Sequence, residues 1–196
     1  MKKFEIYTPA TAPAPADGLL AGLQDMLGFV PNVFAVMAVT PPVLSAFMAL
    51  NQEFSKTSLT PEEREVIQLA VSTQNGCGYC VAGHTAFAKS QGIADEAIAA
   101  TRGCGLIANP KLQALLTFTR SVTANTGQVD ADDIRQFLAA GYTTQQMQEV
   151  ILGICVKTFS NLTSKLLGIP LDDAFVPFVW DPSLAPASSP TRVRAA

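Results

Sequence analysis

Histidine is almost missing from this chain: His84 is the single one in 196 residues. Charge is also sparse, at 15% of residues with a formal net charge of −3, and the basic residues are dispersed. That leaves no concentrated positive field of the kind that tracks a phosphate backbone, and excludes a nucleic-acid partner. Long apolar runs are absent too. The most hydrophobic stretch, Phe29 to Leu50, is broken by Pro31, Asn32 and the pair Pro41-Pro42, whereas a membrane helix needs about 20 uninterrupted apolar residues. No membrane span is expected. Phe4 to Ala16 holds three prolines and no apolar core, so it does not read as a secretory signal, and a cytoplasmic protein is expected. Four cysteines, two of them closely spaced, do not make a secreted disulfide framework; in a reducing compartment they point to metal or redox chemistry.

No convincing alternating strand is found either, which sets the class as all-α. Hydrophobic residues make up 48% of the chain, ample for a core without staples. Thr60-Pro61-Glu62-Glu63 predicts a capping-box start for a helix from Pro61 to about Gln74. Further helices are predicted over Pro42 to Lys56, Tyr79 to Gln91 with Gly92 as stop, Asp95 to Arg102, from Pro110 toward Gly127, over Asp130 to Ala140, and a long one from Thr143. The domain is expected over residues 17–180, preceded by an extended Pro/Ala segment (1–16) and followed by a flexible Pro/Ser/Ala tail (181–196). Leu59 to Ile67 resembles Tyr142 to Ile151 in cap, polar first turn and Glu-Val-Ile core entry. A degenerate duplication is one reading, and two helix starts obeying the same capping rules is the other. At an offset of 84 residues Asn161, Ser164 and Gly168 stand where Cys77, Cys80 and His84 stand in the first half.

The chemistry gathers at Cys77-Gly78-Tyr79-Cys80 and His84. If the segment is helical from about Gly78, Cys77 and Cys80 are i,i+3 neighbours and Cys80 and His84 i,i+4 neighbours, so all three share a face. The thiolate is the nucleophile, and free cysteine titrates at about 8.5, so a working site must favour the anion. A helix entry at Asn75-Gly76-Cys77-Gly78 does so through its unsatisfied N–H groups, and His84 does so as a base or ion-pair partner. The two thiols are close enough in sequence to close a disulfide, allowing a cycle in which one becomes a sulfenic acid and the other condenses with it. Structural zinc usually takes four protein ligands, and Cys104, Cys155 and a lone histidine make a poor set, so no metal is assigned. Val81, where a c-type haem site needs histidine, removes haem; no cofactor is required. Buried, inert structural thiols remain the bland alternative, and Cys104 and Cys155 are assigned to it, Cys155 because it lies in the apolar run Val150 to Val156. Glu65, beside Val66, Ile67, Leu69, Ala70 and Val71, is either a favourable charge near a helix start or a carboxylate held at the edge of the buried face for a purpose. Proximity to the helix start favours Cys77 as nucleophile, and proximity to His84 favours Cys80.

Glu65, eleven intervening residues, then Cys77-x-x-Cys80-x-x-x-His84 resembles the alkylhydroperoxidase D-like branch of the carboxymuconolactone decarboxylase superfamily. The approach Phe29-Val30-Pro31-Asn32-Val33 and the Leu-Thr-x-x-Glu-Arg-Glu helix start fit as well, and the resemblance runs from about Asp17 to Trp180. It implies an all-helical fold with a duplicated helical unit, assembled as trimers or hexamers, and a thiol-dependent peroxidase or disulfide reductase activity. By position it implies Cys80 as the peroxide-attacking thiol, Cys77 as the resolving thiol, and His84 with Glu65 as proton relay. The implied partners are a hydroperoxide substrate and a dithiol reductant, a lipoyl-carrying or thioredoxin-like protein. Members of the family often have a second histidine before the second cysteine; Tyr79 stands there, able to donate a hydrogen bond to a leaving oxygen but a poor base near neutral pH. A lactone decarboxylase-like lyase is the competing enzyme class, though relatives with that activity generally lack paired cysteines. A chain with so little charge is also expected to cover apolar surface by forming a homo-oligomer.

Overall fold

The computed structural model describes residues 4–103 and 105–184. Among them are nine α-helices and no strand: α1 (Ala16–Leu27), α2 (Asn32–Met37), α3 (Pro41–Ser55), α4 (Pro61–Gln74), α5 (Gly78–Ser90), α6 (Asp95–Arg102), α7 (Pro110–Ala124), α8 (Ala131–Ala139) and α9 (Thr144–Leu167), then short 3-10 turns at Asp173–Phe178 and Pro182–Leu184. The all-α class is as the sequence indicates, and α3 to α9 lie where the caps and stops place them to within a few residues.

Two helices escape the sequence reading. α1 buries Ala16, Leu20 and Leu23 on one face and ends at Gly28 in the left-handed region, but this stripe is short and its Pro/Ala approach masks it. Residues 9–12 of that approach form turns rather than a plain extended strand. α2 has only six residues, opened by Pro31, and buries Val33, Ala35, Val36 and Met37.

α4 is the central element. Every residue from Val66 to Thr73 is buried, as expected for a helix enclosed on all sides, and α5, α6, α7 and α9 all pack on it. Its first turn is the expected capping box, Thr60 with Glu63, and α9 starts on a second one, Thr143 with Gln146. The two helices then diverge: α4 stops at Gln74, whereas α9 runs unbroken for 24 residues.

By length and composition alone α9 could cross a membrane, yet its inner face, from Val150 through Gly153 and Val156 to Lys157, Ser160, Asn161 and Ser164, is buried within the helical bundle. Gly153 permits this contact. A methyl group there would lie 2.7 Å from the Phe54 ring and 2.9 Å from Ile67, and Gln68 Nε2 donates to the Gly153 carbonyl at 3.2 Å. Cys155, expected in the core, is exposed instead. It falls between the inward positions 153 and 156, and shares the outer surface of α9 with Ile151, Leu162 and Leu166. Cys104 and residues 185–196 of the expected tail lie outside the described residues.

Candidate active site

The dithiol sits at the break between α4 and α5. Gly76, at φ +61, turns the chain in a region closed to most side chains, and Cys77 occupies the N-cap of α5 in an extended conformation. Its N–H donates to Ser72 O at 2.9 Å and its carbonyl accepts from Val81 N–H at 3.0 Å. α9 clamps the turn from the other side: Asn75 Nδ2 donates to Asn161 Oδ1 at 2.9 Å, and Lys165 Nζ to the Asn75 carbonyl at 2.7 Å. Cys80 follows in the first turn of α5 and His84 one turn later.

Both thiols are reduced and buried, but they differ in what they face. Cys80, with His84 and Lys157, lines a cavity of about 720 Å³ whose apolar walls include Leu23, Phe47, Met48 and Phe175. Cys77 is not among its lining residues. Ser160 and Ser164 of α9 bring their hydroxyls to 3.9 and 3.7 Å from Cys80 Sγ. The position that stands opposite Cys80 in the repeat comparison, Ser164, thus meets Cys80 in space.

Burial by itself raises the pKa of Cys80, but a hydrogen bond from Cys77, the positive charge of Lys157 and bonds from Ser164 and Asn161 outweigh it, and the thiol is held well below its ordinary value. Cys77 moves the opposite way: its thiol bonds to Cys80, burial disfavours its anion, and the Cys80 charge repels it. The surroundings therefore favour the anion at Cys80 over Cys77.

His84 and Glu65, paired in the sequence only through the family resemblance, lie side by side. Nδ1 of His84 lies 2.8 Å from Glu65 Oε2, with both side chains largely shielded. The other ring nitrogen, Nε2, is 2.5 Å from Lys157 Nζ, so both nitrogens of the imidazole have partners other than Cys80. Tyr79 is close to the cavity, but its hydroxyl donates to Asp172 Oδ2 at 2.6 Å and accepts the Val33 N–H at 3.2 Å. Asp172 in turn accepts the Asn32 N–H at 3.0 Å. Tyr79 thereby ties α5 to the start of α2 and to the segment carrying Phe175, whose ring packs over Gly83 and edge-on against Tyr79.

Lys157, Ser160, Ser164 and Asp172 carry no motif and escape the sequence reading. The available signal is a polar series, Lys157, Ser160, Asn161 and Ser164, at helical spacing within an otherwise apolar helix.

Residues 41–121 match the carboxymuconolactone decarboxylase family. An alkylhydroperoxidase AhpD core, an uncharacterized peroxidase-related protein from Ralstonia eutropha JMP134, superposes with a TM-score of 0.79 at 26% identity, covering 88% of this chain and 93% of that one. The debrominase Bmp8 C82A, in complex with 2,3,4-tribromopyrrole, has the same fold at a TM-score of 0.72 and 18% identity, covering 85% and 92%. The uncharacterized protein YdfG of Bacillus subtilis (strain 168) is 23% identical over 117 residues, 58% of this chain and 79% of its own. The matched segment spans α3 to α7 and so contains the Glu65, Cys77, Cys80 and His84 set. Over α3 to α7 the chain is thus similar to the carboxymuconolactone decarboxylase family, and its fold is that of the alkylhydroperoxidase AhpD core.

Proposed function

We propose that this protein is a thiol-dependent peroxidase that reduces organic hydroperoxides, with an antioxidant role in the cytoplasm. The observation that carries this reading is the placement of the dithiol: Cys80 lines a cavity, whereas Cys77 is buried and does not line it, and the surroundings favour the anion at Cys80 over Cys77. The Cys80 sulfur attacks the distal oxygen of the hydroperoxide. An S–O bond forms, the O–O bond breaks, and the substrate leaves as an alcohol after taking up one proton. Cys77 then attacks the sulfenic acid; an S–S bond forms and water leaves. A dithiol reductant, lipoyl-carrying or thioredoxin-like, returns two electrons and two protons. Apolar walls and a volume of about 720 Å³ suit a hydroperoxide with a sizeable hydrocarbon body better than hydrogen peroxide.

Disulfide reduction by the same dithiol is the alternative within redox chemistry, and a lyase reaction is the alternative outside it. One experiment separates them. Reduced protein mixed with cumene hydroperoxide should lose two thiols per peroxide consumed and gain a Cys77 to Cys80 disulfide. Cys77→Ser should consume one equivalent and stop at the sulfenic acid, and Cys80→Ser should consume none. Unchanged peroxide consumption in Cys80→Ser refutes the assignment of the nucleophile. Faster turnover on a protein disulfide than on peroxide favours the reductase, and lyase activity surviving loss of both thiols favours the third class.

A homo-oligomer, a trimer or hexamer, fits the low charge content, with the exposed Ile151, Leu162 and Leu166 of α9 as surface that a second copy of the chain would cover.

A further inference from the structure

Lys157 is buried in the middle of α9, 5% exposed. A buried ammonium is costly unless an anion or a set of acceptors compensates it. Among the described residues no carboxylate lies within ion-pair distance of its Nζ; its close neighbour is His84 Nε2 at 2.5 Å. The state of that imidazole follows from its other side. An ionised Glu65 only accepts, so Nδ1 carries the hydrogen, and Nε2 is left as the acceptor for a lysine N–H. One of three ammonium hydrogens is thus directed at His84 and two remain. The same helix face continues through Ser160 and Ser164, one and two turns on, whose hydroxyls reach Cys80 Sγ. Lys157, His84 and Cys80 line one cavity. Of the groups lining that cavity Cys80 and Tyr79 can become anionic, and the Tyr79 hydroxyl is engaged with Asp172, which leaves the sulfur of Cys80 to balance the buried charge.

We propose that Lys157 is the cation that holds Cys80 as a thiolate and the acid that protonates the leaving oxygen, while His84 and Glu65 stand behind it as positioning residues; only the second of these roles rests on the peroxidase reading. The proton cycle closes without an additional donor. When the Cys80 sulfur takes the distal oxygen, the alkoxide that departs receives a proton from the Lys157 ammonium and leaves as alcohol. Condensation of the sulfenic acid with the Cys77 thiol releases water. Reduction of the disulfide by the external dithiol returns a proton to each sulfur, and Cys80 passes its own to the neutral Lys157 amine, restoring the ion pair. The sum is hydroperoxide plus dithiol giving alcohol, water and disulfide.

Burial lowers the Lys157 pKa overall, and the opposing charges, Cys80 first and then Glu65 and Cys77, offset part of that cost. Those groups and His84 are the titratable side chains acting on it from α4 and α5. From the other elements around the cavity, α2 presents Val33 and Phe34, α3 presents Asn51 and Gln52, and the 3-10 turn presents Phe175; none of these titrates. Tyr79 has its hydroxyl directed at Asp172.

The test is the pH dependence of Cys80 alkylation by iodoacetamide in reduced protein, followed by mass spectrometry of the Cys80 peptide, which requires no peroxide. Wild type should show an inflection well below the value of about 8.5 for free cysteine. Lys157→Met keeps an apolar stem of similar length and removes the charge; its inflection should rise by at least one pH unit, with about a tenfold slower rate near neutral pH. Lys157→Arg should keep the low inflection, and His84→Asn should shift it less than Lys157→Met does. A wild-type inflection at the free-cysteine value overturns the proposal without any variant, which covers the case in which Lys157→Met does not fold. An unchanged profile in a folded Lys157→Met, or loss of the low inflection in a folded Lys157→Arg, also overturns it. A low wild-type inflection that depends on Lys157, in protein that consumes no peroxide, upholds the ion pair and removes the peroxidase reading.

Discussion

Tyr79→Phe distinguishes a structural strut from a substrate contact at the position between the two cysteines. The substitution deletes one oxygen and leaves the ring, so the edge-on packing against Phe175 at 5.9 Å between centroids is retained. What is lost is the 2.6 Å bond to Asp172 and the acceptor for the Val33 N–H. A hydrogen bond to a charged group contributes about 1.5–3 kcal/mol. Asp172 is not orphaned, because the Asn32 N–H still reaches both its oxygens, at 3.0 and 3.3 Å, but the buried Val33 N–H loses its acceptor, which adds about 1–3 kcal/mol for a total of about 2.5–6 kcal/mol. For a domain of this size each kcal/mol lowers Tm by about 2–4 °C, so a fall of about 5–24 °C is expected in a thermal melt. Iodoacetamide reactivity of Cys80 at neutral pH should stay within about twofold of wild type, since Ser160 and Ser164, whose hydroxyls flank the sulfur, and Lys157 are untouched. The opposite pattern, an unchanged Tm with a tenfold or greater loss of peroxide turnover, would refute this reasoning and make the Tyr79 hydroxyl a donor to the leaving oxygen.

Acid should act on the fold through Glu63. Burial opposes its ionisation, but the Thr60 N–H, at 2.8 Å, and the Lys111 ammonium, 3.3 Å away, hold it below the ordinary glutamate value. The unfolded chain then binds more protons than the folded one in the window beneath about pH 4.3, so this contribution is complete above that value and is lost as pH falls through the lower folded value. Thermal melts from pH 6 to pH 3 should show wild type losing its advantage over Glu63→Gln on the acid side, and parallel curves would contradict the assignment. Sedimentation at micromolar concentration should give a mass of three or six chains, and replacing Leu162 and Leu166 by lysine should lower it; a monomer in wild type excludes the proposed assembly.

The part of this molecule that could be read from sequence is the part specified locally. Thr60 and Glu63 sit three residues apart, so their mutual bonds follow from spacing alone, and the grouping of Cys77, Cys80 and His84 around the start of one helix follows in the same way, although not a bond between Cys80 and His84. Glu65 and His84 are 19 residues apart, and their contact needed only that α5 fold back on α4 across the Gly76 turn. α1 and α2 were harder: their apolar positions form a stripe only once a core exists to define the inner face. Cys155 illustrates the reverse error. An apolar run says that a helix has buried residues, but not which of its members point outward, and Gly153, by letting α3 and α4 approach so closely, settles the rotation of α9.

That rotation also governs the chemistry. Were α9 turned by one residue, Val156 or Thr158 would face the cavity and Lys157 would not. The buried Lys157, Ser160, Asn161 and Ser164 share one inward face, and the contacts of Gly153 with Phe54, Ile67 and Gln68 pin that face against α4. The Cys-x-x-Cys segment supplies the sulfurs and the thiol that bonds the anion, but the positive charge comes from a helix some 75 residues downstream in sequence. A search restricted to the motif would find a dithiol with a base beside it. In the folded chain the imidazole is engaged by Glu65 on one side and by the Lys157 amine on the other, so that, on our proposal, the imidazole orients the cation that balances the thiolate. On this arrangement the missing second histidine at position 79 removes little, because Lys157 provides the proton carrier that position 79 lacks.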